Sequence, residues 1–315
     1  MRLLCILFVA TLANAAEVTR AGMWELHSSF WMNLHQNLLH DVISKTPRDL
    51  GALTAEERTA WTEAVAACRT ASGRSMAFAR DILATQNELS QVADDAVAPS
   101  LSGPLAAAVR QAAPVYRKHW WQADDTANRF HLGYTAAMLR DAGDELARAH
   151  EAVYREKYPK SIRVDIAAYG GMFGAYSIWL DDPGFVVTMT SRDDGYQGLR
   201  ALEMILHESS HSIVSPNNGT VANAIHSTAK RLGIPPPRDL WHAILFATTG
   251  QLTRRALAQR GVADFVPSSE DLLTRAWPEY RKPIETHWYP YLLSGTGTLE
   301  EAIGKIVEAT REAGK

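Results

Sequence analysis

Cysteine is almost absent from this chain: 315 residues contain two, Cys5 and Cys68. Cys5 falls inside a leader-like segment, so removal of that segment leaves Cys68 alone. An intramolecular disulfide is then excluded, and so is a cysteine-based zinc site; any metal must be held by histidine and carboxylate. Long apolar runs are missing as well. The longest, Leu3 to Leu12, is far short of the ~20 residues that a membrane helix needs. Neither sign of charge dominates, with 32 Lys and Arg against 35 Asp and Glu and a net charge of −3, which removes the electrostatic case for nucleic acid or an anionic membrane. The chain has no repeats, low-complexity tracts or charge blocks.

The first residues fit an export signal. Met1-Arg2 supplies a short basic start, Leu3 to Leu12 an apolar stretch, and Ala13-Asn14-Ala15 a small-x-small cleavage site. The expectation is a signal peptide over 1–15 and an exported product, periplasmic or secreted.

Residues 17 to about 158 read as helical throughout. Trp24, His27, Phe30, Trp31, Leu34 and Leu38 fall on one face of a first helix, and Thr54-Ala55-Glu56-Glu57 is a capping-box start for a second. Further helical patterns cover roughly 74–94, 101–119 and 124–157. The pattern changes at Tyr158-Pro159. Residues 162–168 alternate with period two, 175–180 and 185–190 are short apolar runs between turn signals, and all three read as strands. Helical spacing returns over 196–214, 219–232, 239–258, 269–276, 280–293 and 299–312, the last opening with the capping box Thr298-Leu299-Glu300-Glu301. The expected fold class is α+β and predominantly helical: a helical region over 16–158, then a sheet-bearing region over 159–315 with a motif helix and C-terminal helices.

The chemistry concentrates in Leu206-His207-Glu208-Ser209-Ser210-His211. On a helix, positions i and i+4 lie one above the other, so His207 and His211 aim both imidazoles at one point. Glu208 is offset by about 100° and lies beside that point. Two neutral nitrogen ligands and a neighbouring carboxylate base are what zinc-dependent hydrolysis requires, and the pattern is the HExxH motif of zinc metallopeptidases.

A zinc site of this kind needs a third protein ligand. The close third histidine of metzincins is absent. His242, in the first turn of the apolar helix Trp241-His242-Ala243-Ile244-Leu245-Phe246, is the leading candidate. His226, on a more polar helix, remains open, as do Asp239 at a helix N-cap position and later glutamates such as Glu270 and Glu279. A donor to the developing oxyanion is also needed, and the cluster around residue 288 offers His287, Tyr289 and Tyr291. Gly174 to Trp179 is the strand expected to lie beside the site and hold an extended peptide.

Over about 160–260 the order of strands, HExxH helix and later ligand-bearing helix resembles the gluzincin-type zincins, the thermolysin-like clan of metallopeptidases. The resemblance implies a zincin-like sheet, one Zn²⁺ held by His207 and His211, Glu208 as general base, and a peptide or protein substrate. In that clan the third ligand is usually a glutamate on a later helix. Here that helix carries His242 and no glutamate, with Gln251 further along. Two other readings stand beside the peptidase: a zincin-like domain that binds a partner or cleaves a non-peptide amide or ester, and a helical periplasmic binding protein with an incidental HExxH.

Overall fold

The first described elements are strands, where the sequence predicts helix. In the computed structural model, which describes residues 17–46, 48–92 and 97–313, Glu17–Ala21 (β1) and Trp24–Ser28 (β2) form an antiparallel hairpin. The expected signal segment 1–15 lies outside the described residues. Gly22, at φ +60°, makes the turn in a backbone conformation that other residues rarely adopt. Along β2, Trp24, Leu26 and Ser28 are buried while Glu25 and His27 are half-buried, a period of two that overrides the helical spacing of Trp24 and His27. What decides between the two readings is a distant partner, since β2 pairs in parallel with a strand that begins at Ile162.

Helices follow as expected. Phe30–Ile43 (α1) starts at Ser29, whose hydroxyl accepts from the Met32 N–H at 3.4 Å. Ala55–Ser72 (α2) opens with the complete capping box of Thr54 and Glu57. Arg80–Ser90 (α3), Ala106–His119 (α4) and Trp121–Met138 (α5) come next. A π-helical turn over Leu139–Gly143 carries α5 into Asp144–Tyr154 (α6). Then come the three expected strands, Ile162–Ala167 (β3), Ala175–Trp179 (β4) and Phe185–Thr190 (β5).

The remainder is helical: Leu199–Ser210 (α7), Thr220–Leu232 (α8), Leu240–Gln259 (α9), Ser268–Arg275 (α10), Pro278–Pro283 (α11), Tyr289–Ser294 (α12) and Leu299–Ala313 (α13). Thr298 and Glu301 close the second capping box. Among the described residues no helix is long and apolar enough to cross a membrane.

One mixed sheet joins the strands in the order β1-β2-β3-β5-β4. It draws on both sides of residue 158, where the sequence suggests a boundary between a helical and a sheet-bearing region. β3 and β5 are parallel, and β4 runs antiparallel to β5 at the edge. One face is apolar: Leu26, Ile162, Val164, Ile166, Val187 and Met189 pack into the main core with α5, α6, α7 and α9. The motif helix is tied to this core at an early strand, because the Trp24 indole N–H donates to Ser209 Oγ at 2.9 Å.

The opposite face of the sheet is polar and still buried. His27, Asp165, Thr188 and Tyr176 stand in register across β2, β3, β5 and β4. Arg163 donates to Asp165 from Nε and Nη2 and reaches the Ser90 carbonyl with Nη1 at 2.6 Å. Gln36 on α1 donates to the Tyr176 hydroxyl at 2.6 Å, and that hydroxyl donates to Gln86 on α3 at 3.0 Å. Buried polar groups need such partners, and here the partners hold the helical layer of α1 and α3 to the strands. Beyond that layer α1, α2, α3 and α4 enclose a second apolar core.

Candidate metal centre

Helix α7 is buried from Ala201 to Ser210, so the motif sits on a helix that runs through the core. The helix ends one residue before His211, which keeps a right-handed helical backbone at φ −61° as the chain tightens. The i, i+4 relation of His207 and His211 therefore survives the end of the helix. Their ring centroids stand 4.9 Å apart. Helix α9 brings the third imidazole: His242 Nε2 lies 3.2 Å from His207 Nε2, and its ring centroid is 5.1 Å from that of His211. One ligand atom from each of the three lies within 4.8 Å of the others, a group that could hold a metal ion.

The electrostatics suit a cation ligand set. Burial lowers the His207 pKa well below the usual histidine value, with the neighbouring His211, His242 and His150 acting in the same direction. Burial takes His211 to about 3 and His242 to about 4, the Asp239 carboxylate opposing the shift at His242. All three rings are therefore neutral near pH 7 and present lone pairs, as metal ligation requires. An aromatic collar surrounds them. His207 stacks on Phe246 at 3.7 Å, His242 stacks on Trp241 at 4.8 Å, and Trp277 meets His242 edge-on at 5.3 Å. Nδ1 of His207 is buried with no hydrogen-bond partner. A ligating histidine usually donates its second nitrogen to an acceptor, so the ring of His207 is oriented by stacking instead.

Glu208 is buried and accepts the Ser177 hydroxyl at 2.9 Å, which joins it to the edge strand β4. Loss of solvation pushes its pKa up to about 7, the Ser177 hydrogen bond working against the rise. Tyr196, in the turn before α7, has its hydroxyl pKa raised first by burial and then by the Glu208 charge, and that hydroxyl donates to the Phe173 carbonyl.

The other sequence candidates lie elsewhere. His226 is exposed on α8. Asp239 stands at the start of α9 but makes no side-chain cap there, and pairs with Arg238 at 3.3 Å. Glu270 pairs with Arg254 on α9, and Glu279 is exposed. Of the proposed oxyanion donors, Tyr291 donates to the Val153 carbonyl at 2.8 Å, Tyr289 packs half-buried against the main core, and His287 is half-buried on the π-helical turn over Ile284–Trp288. None of these contacts is with the three clustered histidines. Sequence reading passed over Ser177 and Tyr196, whose types carry no motif. His150, fully buried near His207, is bonded to the Leu146 carbonyl at 2.7 Å and to Thr249 at 3.1 Å, which occupies both ring nitrogens in the packing of α6 against α9.

Comparison with protein families, with curated proteins and with solved structures finds no match to this chain.

Proposed function

We propose that the protein is a zinc-dependent hydrolase of the zincin type that cleaves peptide bonds. The observation that carries this reading is the meeting of His207, His211 and His242 on two helices, with Glu208 buried next to His207 and bonded to an edge strand. Three neutral imidazoles fit Zn²⁺, and they form an all-histidine set in place of the glutamate third ligand of the clan that the sequence resembles. Zinc bound there would polarise a scissile carbonyl and acidify water.

The protein's own part is proton transfer and positioning. Glu208, raised to about 7 by burial alone and drawn toward its ionised form by any cation held at the neighbouring histidines, is the carboxylate placed to accept a proton from attacking water and to return it to the departing nitrogen. Ser177 holds Glu208 in place. Among the described residues β4 has no strand on its outer side, so its outer edge can pair with an extended peptide next to Glu208.

Metal content and turnover test this reading together. The purified chain is expected to bind about one zinc, and His207→Ala to lose it. Glu208→Gln is expected to keep the metal and lose peptide hydrolysis by at least about 100-fold, the scale of general-base catalysis. A chain that takes up no zinc would remove the reading. Zinc retention with equal turnover in Glu208→Gln would remove Glu208 as the base.

A further inference from the structure

Where β4 begins, the sheet opens into a cleft of about 460 Å³ with His40, Lys45, Tyr169, Gly174, Arg192 and Asp193 among its walls. The His40 and Tyr169 rings stack at 3.6 Å and form a flat side. Gly170 and Gly174 cross so closely that a Cβ on Gly170 would stand 2.2 Å from the Gly174 carbonyl, and the Tyr196 ring packs over Gly174, where a Cβ would meet it at 2.4 Å.

Two cations in the wall have unused capacity. Arg192 is anchored through Nη2 to Asp124, a buried carboxylate that also accepts from Tyr116 at 2.8 Å. Its Nε and Nη1 groups donate to no acceptor among the described residues, and its side chain is 43% exposed. Lys45 forms no ion pair among the described residues. The acid in the wall, Asp193, is turned into its own turn, where it accepts the Gly195 N–H at 2.8 Å. The cleft thus offers donors of positive charge to a ligand and a carboxylate already engaged.

Its place along β4 sets what that ligand is. Ser177, which holds Glu208, lies three residues after Gly174, or about 10 Å at the rise of a strand. A peptide paired antiparallel on the outer edge of β4 runs from Trp179 toward Gly174. Residues after the scissile bond then enter the cleft two or three positions on. In a parallel docking the N-terminal side would enter, and an ammonium group there would meet Lys45 and Arg192.

On the peptidase reading above, we propose that this cleft binds a peptide carboxylate two or three residues beyond the scissile bond. The carboxylate is either the chain's C-terminus, in which case short C-terminal fragments are released, or an acidic side chain at that position.

The test uses an N-terminally fluorescent hexapeptide with a free C-terminus, its C-terminal amide, and an amide carrying Glu as the last residue. Binding is read by anisotropy on the zinc-loaded Glu208→Gln full chain, and cleavage on the zinc-loaded wild type. The free acid is expected to bind about tenfold more tightly than the amide, the scale of one charge-assisted hydrogen bond. In a second protein carrying both Glu208→Gln and Lys45→Gln, the acid-to-amide ratio is expected to fall toward one. That variant leaves the Arg192–Asp124 pair intact and so is expected to fold. Recovery of tight binding by the Glu-amide supports the cleft and assigns the acidic side chain as its ligand. Equal binding of acid and amide, or no binding of either, overturns the proposal. Efficient cleavage without any carboxylate preference leaves the peptidase standing and removes the cleft. Carboxylate-dependent binding without cleavage by the wild type keeps the cleft and removes the peptidase.

Discussion

His35 shows how much a single side chain can withhold from stability. It is fully buried on α1, and neither ring nitrogen has a hydrogen-bond partner. Leaving such a group unsatisfied costs about 1–3 kcal/mol. Leucine has a similar volume and no polar atom, so His35→Leu is expected to raise the melting temperature and to add about 1–3 kcal/mol in urea unfolding at pH 7. A lower melting temperature would show that His35 has a partner in solution. Burial also lowers the His35 pKa from 6.5 to about 4. Between those values the unfolded chain holds the proton and the folded chain does not. The folded state therefore meets no protonation penalty from His35 above pH 6.5 and loses stability as the pH falls toward 4. The advantage of the leucine variant is expected to widen over that window, by up to roughly 3 kcal/mol.

Among the elements, α7, α9 and α10 converge on Gly250. A Cβ there would stand 2.6 Å from Pro267 Cβ, 2.8 Å from Ser269 Oγ and 3.1 Å from Glu203 Oε1. Glu203 lies one turn before His207 and accepts from the Ser268 N–H at 3.0 Å, capping α10. Alanine improves helix propensity by about 1 kcal/mol but must displace a proline ring, and overpacking costs about 1–3 kcal/mol. Gly250→Ala is therefore expected to destabilise, by about 1–2 kcal/mol in chemical denaturation. A neutral or stabilised variant would mean that α10 is not seated on α9 as described.

Elements of this kind differ in how far they are legible in sequence. β3, β4, β5 and α7 are written in local alternation or helical spacing, and the two capping boxes in four residues each. His242 is legible as an imidazole in the first turn of an apolar helix. The β1–β2 hairpin is not, because Trp24, His27 and Trp31 satisfy a helical spacing and only β3 decides otherwise. His287, Tyr289 and Tyr291 share the composition of a catalytic cluster and of a packed one, and spacing does not separate the two. Ser177 carries no signal of its own; its role arises from standing on the edge strand opposite Glu208.

At the scale of the whole molecule, the sheet spans the point where composition suggests two regions. β2 covers one side of β3, and Trp24 fixes Ser209 on the motif helix. A fragment of residues 159–315 is therefore expected to lack cooperative unfolding by calorimetry and, if zinc occupies the proposed site, to hold it at least tenfold more weakly than the full chain. A fragment with a sharp transition and full metal affinity would show that the sheet closes without its first two strands. The same pairing constrains the order in which the chain assembles. Closing a long loop adds little to the equilibrium cost, about 0.6 kcal/mol per doubling of length, but contacts between distant segments form slowly. As the protein emerges from the ribosome N-terminus first, Trp24 and Leu26 are synthesised long before the strand that covers them. Until β3 has followed, β1 and β2 are a sticky hairpin without its cover, a segment that a chaperone or holdase would have reason to shield.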